Sequence, residues 1–237
     1  MRVLVCFIYF CVSLVTLAQK KVSFLASDGL LVTADLYLTN KSLPFILLFH
    51  QTDASRGEYL EIAPKLQNLN YNCLAVDLRS GSKMNYVINE TAKRARERNL
   101  SVTHYDAVKD MEAAIRYIRE YNHQGIVLFG SSYSASLSLY LASKHSNVEA
   151  VVAFSPGEYF RPALILEDHL GNILQPVFVT STKLEYNYVF NLVKSIPEEN
   201  LQIYKPKTKS LHGAKALWKE NAESEAYWLE LLLFFKR

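Results

Sequence analysis

From Pro44 onward the chain alternates short, unbroken apolar runs with amphipathic stretches. The runs are Phe45 to Phe49, Asn72 to Val76, Gly125 to Phe129, Val148 to Phe154 and Pro176 to Thr180. A continuous apolar run of strand length marks a strand buried on both faces, so this series predicts a parallel sheet with helices on either side. The clearest helix is Tyr105 to Tyr121, where Val108, Met111, Ile115 and Ile118 recur at spacings of three and four and so share one face. Tyr59 to Leu69, Ser132 to Ser143, Leu184 to Val193 and Glu220 to Phe235 are the other predicted helices. Ahead of Pro44, Lys21 to Ala26 and Leu30 to Tyr37 read as strands joined through Ser27-Asp28-Gly29, a hairpin turn signal. The expected fold is α/β: a mostly parallel central sheet with an N-terminal antiparallel hairpin and helices on both faces, one domain over residues 19–237. The polar, weakly periodic stretch from Arg79 to Val102 is long for a connection and reads either as an active-site flap or as a surface excursion.

The first residues follow a different rule. Met1-Arg2 leads into an apolar run from Val3 to Leu17, and Thr16-Leu17-Ala18 puts small residues one and three positions before a cut after Ala18. That is the pattern of a cleaved secretory signal peptide, residues 1–18, with export to the periplasm or the exterior. An uncleaved anchor is the rival reading, but the run is at the short limit of about 17 residues for a spanning helix and carries Tyr9, Ser13 and Thr16. No stable membrane span is expected after cleavage. Cys6 and Cys11 leave with the signal, so only Cys73 remains, within an apolar run where a buried structural thiol is expected and no internal disulfide can form.

Charge narrows the partners. Lys and Arg number 26 against 23 Asp and Glu, and loss of Arg2 brings the balance to 25 − 23 = +2. Near-neutrality gives no electrostatic footprint for nucleic acid, and the basic run Lys93, Arg94, Arg96, Arg98 reads as a solvated helix face. Asn40, Asn89 and Asn99 each open an N-x-S/T triplet, the acceptor pattern for glycosylation of exported chains. No histidine or acidic cluster has metal-ligand spacing and no glycine-rich phosphate loop occurs, so no metal or cofactor is expected.

The chemistry concentrates in Ile126-Val127-Leu128-Phe129-Gly130-Ser131-Ser132-Tyr133-Ser134-Ala135, where a buried strand enters a tight turn and leaves as a helix. A serine at the centre of such a turn, flanked by small residues, is a nucleophile elbow. Ser132 holds the centre; Ser131, Ser134, Ser136 and Ser138 fall before it or inside the helix, where small polar residues allow close packing. Ligands in open α/β sheets bind beyond the carboxyl ends of the strands, which singles out His50-Gln51, Asp77, Gly130 to Ser134, Ser155 to Glu158 and Ser181 to Glu185. A serine needs a base, usually histidine. His104 and His145 lie beside or within helices, His123 precedes its strand, His169 is in an irregular segment and His50 suits a turn near an oxyanion site. His212, in the loop after the last predicted strand, is the expected base. The base needs a carboxylate, and after Asp168 the chain has no aspartate. Glu185 is therefore the leading acid, with Asp168 and Glu158 as substitutes. The order is then serine, acid, histidine. Two backbone amides must hold the oxyanion: Tyr133, after the nucleophile, and Gln51, in the loop after Phe49.

These residues resemble the α/β-hydrolases, and among them the small dienelactone-hydrolase-like branch. The likeness runs from about Val22 to Phe235 on Leu47-Leu48-Phe49-His50-Gln51, Ala75-Val76-Asp77-Leu78-Arg79-Ser80-Gly81, the Gly130-to-Ser134 elbow and Leu211-His212-Gly213. The resemblance implies Ser132 as nucleophile, His212 as base, an acid after the Pro176 strand and oxyanion amides at Gln51 and Tyr133. It also implies a small-molecule ester or acyl substrate. Serine in place of the cysteine common in dienelactone hydrolases points away from that specific reaction. The elbow closes on Ser134 instead of glycine, and Glu185 stands where most relatives carry aspartate. A peptidase on the same scaffold, or a non-catalytic binding protein that keeps the pocket, are the alternatives. A Glu185 pointing into solvent would favour the last.

Overall fold

The computed structural model describes residues 19–121 and 124–236. The predicted signal segment, residues 1–18, and His123 lie outside them. In chain order the strands are β1 (Gln19–Leu25), β2 (Leu31–Tyr37), β3 (Phe45–Phe49), β4 (Asn72–Val76), β5 (Lys83–Met84), β6 (Val87–Ile88), β7 (Ile126–Ser131), β8 (Val148–Phe154), β9 (Val177–Thr180) and β10 (Leu201–Tyr204). The helices are α1 (Ile62–Gln67), α2 (Glu90–Glu97), α3 (Val108–Tyr121), α4 (Tyr133–Ala142), α5 (Glu167–Leu170), α6 (Tyr186–Val193) and α7 (Ser224–Phe235).

The main sheet runs β1-β2-β4-β3-β7-β8-β9-β10. From β4 to β10 every neighbouring pair is parallel, while β1 pairs β2 and β2 pairs β4 antiparallel. The apolar runs are wholly apolar because alternate side chains enter two different cores. On β3, Phe45, Leu47 and Phe49 pack with Met111, Ile115 and Ile118 of α3, and with α4 and α6. Ile46 and Leu48 face Ile62 and Leu66 of α1 and Leu231 and Phe234 of α7. Among the described residues no helix is long and apolar enough to cross a membrane.

The Arg79-to-Val102 stretch is organised around buried polar groups. It holds the two-stranded ribbon β5–β6 and then α2, whose Thr91 hydroxyl accepts from Thr33 N–H (2.9 Å) and whose Arg94 reaches Leu31 O (2.8 Å). Asp77 accepts from Arg56 Nη1 (2.5 Å) and from Glu90 N–H (2.8 Å), which docks the start of α2 on the end of β4. Asn89 is buried, and its amide nitrogen donates to Leu78 O (2.8 Å). The folded chain therefore offers no acceptor for a glycan at Asn89.

Among the described residues Arg79 is the largest fully buried side chain. Its guanidinium meets Asp110 Oδ1 at 2.8 Å and Asp28 Oδ2 at 2.6 Å, and Asp110 Oδ2 also accepts Arg79 N–H at 2.8 Å. Truncating one partner of a buried pair strands the other charge, so Asp110→Ala is expected to lower unfolding free energy by about 3–5 kcal/mol. Urea melts of the two proteins check this; a loss near that of a surface residue would contradict it.

Candidate functional site

The turn between β7 and α4 carries Ser132 in a backbone conformation that side chains avoid, with φ 61° and ψ −125°. Such strain persists only when surroundings dictate it. Ser132 N–H donates to Phe154 O at 2.8 Å, tying the turn to β8. Gly130 lies so close to the Ala135 backbone and Ser134 O that a β-carbon would collide with both. Ser134 is buried, with its hydroxyl donating to Phe49 O (2.7 Å) and accepting from Ser131 N–H (2.9 Å), which is how serine replaces glycine at the end of the elbow. Ser132 itself is 6% exposed, its side chain at the floor of the strand-end face.

His212 Nδ1 lies 2.6 Å from Glu185 Oε1. The other oxygen, Oε2, accepts from Ser155 Oγ (2.8 Å) and Thr182 N–H (3.0 Å). Three groups thus converge on the Glu185 carboxylate. Burial raises its pKa, but the His212 hydrogen bond, the Thr182 amide, the His212 charge and Ser155 together outweigh that and lower it from 4.5 to about 2. Ionised Glu185 places the imidazole proton on Nδ1 and leaves Nε2 with its lone pair. The two substitutes for the acid are elsewhere: Asp168 is exposed on α5, and Glu158 accepts from Glu167 N–H (2.9 Å) and pairs with Arg161 (3.3 Å).

Because the folded-state pKa of Glu185 is depressed, its stabilisation is fully present above about 4.5 and is lost as pH falls through about 2. Glu185→Gln is therefore expected to lie below the wild type in stability above pH 4.5, with the gap closing toward pH 2. Denaturant melts across that window test the sign; a gap that widens on acidification would refute it.

The loop carrying His212 is fastened to the elbow. Gly213 N–H donates to Ser155 Oγ (3.2 Å) and Ala214 N–H to Ser131 Oγ (2.8 Å). Gly213 has φ +67°, and a β-carbon there would strike Ser131 Oγ, so both conformation and space call for glycine.

The oxyanion side corrects one expectation. Tyr133 N–H opens α4, where the first amides of a helix have no intrahelical acceptor. Gln51 N–H does not stand free: it donates to Glu58 Oε2 at 2.8 Å. Gln51 O also points inward, accepting from Ala54 N–H (3.3 Å) and lying 2.7 Å from His50 Nδ1. Leu78 N–H donates to His50 Nε2 (2.9 Å), which fixes the tautomer with Nδ1 as the donor to Gln51 O. Burial lowers the His50 pKa to about 4 and keeps the ring neutral. In a trans peptide the C=O and the following N–H point in opposite directions. With Gln51 O inward, the Thr52 N–H is directed outward, and it has no acceptor among the described residues.

Two aromatic side chains frame the site: His104, set aside in the sequence as lying beside a helix, and Tyr159, which opens a segment expected to line the pocket. His104 stacks on Tyr133 with ring centroids 4.4 Å apart, its Nε2 being 3.1 Å from Thr52 Oγ1. Tyr159 donates to Ser155 O (3.2 Å) and carries its hydroxyl against Ser132. Both line a cleft of about 480 Å³ between Val102–Tyr105 and Tyr159–Ala163.

No protein-family model and no curated protein matches the chain. Solved structures do. An esterase from Pyrococcus furiosus aligns at TM-score 0.70 and 16% identity over 94% of this chain and 91% of its own. A dienelactone hydrolase from Anabaena variabilis aligns at 0.70 and 17%, over 92% and 97%. The α/β hydrolase GrgF from Penicillium sp. aligns at 0.73 and 15%, over 93% and 99%. The chain has the α/β-hydrolase fold. In an α/β-hydrolase sheet the position of Ser132 after the central strand, of Glu185 after β9 and of His212 after β10 puts all three at one edge, the carboxyl ends of the strands.

Proposed function

We propose that the chain is an exported serine hydrolase acting on carboxylic esters. The observation that carries the reading is the Glu185–His212 pair at 2.6 Å, on a loop bonded to the residue before Ser132. A binding module without an effective triad has no need of that pair, and Glu185 is turned to His212 instead of solvent. Export rests on the residue pattern of the first 18 positions.

In this mechanism His212 Nε2 removes the Ser132 hydroxyl proton as Oγ attacks the ester carbonyl. The Tyr133 and Thr52 amides hold the oxyanion, and ionised Glu185 stabilises the imidazolium. The imidazolium gives its proton to the departing alkoxide, leaving an acyl group on Ser132. Water then enters, His212 takes its proton, and collapse of the second tetrahedral intermediate releases the acid and restores the serine. The cleft by His104 and Tyr159 offers room for one arm of the substrate.

A fluorophosphonate probe tests the reading: labelling mapped by peptide mass spectrometry is expected on Ser132, with turnover of p-nitrophenyl esters exceeding that of matched anilides. Labelling at another residue, or none, would discard it.

A further inference from the structure

Glu58 has a fully buried carboxyl group that takes no step in the mechanism above, yet its hydrogen bonds link three segments of the site. Its Oε2 accepts Gln51 N–H (2.8 Å), its Oε1 accepts the Ser131 hydroxyl (2.7 Å), and Ser131 Oγ in turn accepts Ala214 N–H (2.8 Å). The backbone of Glu58 is held as well, its carbonyl accepting from Trp218 Nε1 at 2.9 Å. One carboxyl group thus joins the turn after β3, the residue before the nucleophile and the residue two beyond His212.

The consequence lies in peptide geometry. The orientation of Thr52 N–H depends on the Gln51–Thr52 peptide plane: the Gln51 carbonyl lies in that plane, while the Gln51 N–H belongs to the preceding peptide and acts on it through the Gln51 backbone torsions. His50 and Ala54 hold the Gln51 carbonyl, and Glu58 alone holds the Gln51 amide. We propose that Glu58 is the positioning residue of the oxyanion side: by keeping Gln51 N–H inward it aims Thr52 N–H at the substrate oxygen and registers that turn against the elbow and the His212 loop. This rests on the Ser132 acyl-enzyme reading.

Hydrogen bonding, more than charge, is what the position requires. Burial pushes the Glu58 carboxyl up to about 7, against the pull of Gln51 N–H, Ser131, Lys215 and His212. Both protonation states keep an acceptor for Gln51 N–H, so glutamine can serve in its place: its oxygen takes Gln51 N–H and its NH₂ faces Ser131 Oγ, which reverses from donor to acceptor.

The experiment compares Glu58→Ala, Glu58→Met and Glu58→Gln with the wild type, measuring kcat and KM on an activated p-nitrophenyl ester, with active sites counted by fluorophosphonate. Methionine fills the volume without an acceptor and stands in should alanine leave too large a void. Misaiming one oxyanion donor is expected to lower kcat per counted site by roughly 10- to 100-fold in Ala and Met. KM should stay within about threefold, and Gln should recover most of the loss. Ala and Met proteins that turn over as the wild type per counted site, whatever their melting temperature, would reduce Glu58 to a structural residue and overturn the proposal. So would a Gln protein as slow as Met, which would make the charge the essential property. Absence of Ser132 labelling in the wild type would instead remove the acyl-enzyme reading, and this proposal with it.

Discussion

Ser132→Ala is expected to lower kcat on an activated ester by about 10⁴-fold or more and to abolish fluorophosphonate labelling, with the melting temperature little changed. The size follows from what alanine removes. Without Oγ no acyl-enzyme can form, and the surviving oxyanion amides can only assist direct attack by water. The fold should hardly notice, because the anchors of the turn are the Ser132 N–H on Phe154 O, the Ser134 hydroxyl on Phe49 O and the close approach of Gly130 to α4, none of which involves Oγ. Neighbouring serines offer no substitute nucleophile: Ser131 Oγ lies between Glu58 and Ala214 N–H, and Ser136 Oγ is bonded to Gly157. Stopped assays with purified, melting-checked protein settle the matter, and a loss below about 100-fold would remove Ser132 from the nucleophile's role.

Most of this site was legible because its parts are local or topological. A nucleophile elbow is a local pattern, a strand, a tight turn and a helix, and β3, β4 and β8 begin and end where their apolar runs do. The strand-end rule then brought Ser132, Glu185 and His212 to one edge without any knowledge of distances. What stayed hidden depends on orientation or on polar burial. β10 is half-buried at the sheet edge and reads Leu-Gln-Ile-Tyr, too short and mixed for a periodic signal. The apolar face of α2 is made only of Ala92 and Ala95, beside Thr91, so its charged sequence reads as a solvated helix face and gives no sign of its docking on β2. The strand-end rule singled out the turn after β3 but not which way its peptides face: Gln51 N–H turns inward because a glutamate seven residues on accepts it, and no propensity reports that. His104 likewise reaches Tyr133 only because the whole segment after β4 folds back over the strand ends.

The second large effect concerns the acid. Glu185→Gln keeps the size and shape of the side chain, and a simple steric view would predict little change. The hydrogen bonds around it say otherwise. Thr182 N–H can only donate, and it donates to Glu185 Oε2; in the variant the amide oxygen must take that place. The NH₂ group is then turned toward His212 Nδ1, where Glu185 Oε1 now sits at 2.6 Å. A donor facing Nδ1 forces the imidazole proton to Nε2, the atom that must accept the Ser132 proton, and the variant also lacks the negative charge that stabilises the imidazolium. The expected cost is about 10⁴-fold in kcat, with KM changed far less, since the acid acts only through the histidine. Ser155 does not rescue the arrangement, because its hydroxyl can reverse to suit either end of the amide while the Thr182 backbone cannot. Steady-state kinetics together with the rate of fluorophosphonate labelling read this out. A loss under tenfold would mean that His212 keeps its working tautomer without Glu185, and the acid would have to be sought among other carboxylates.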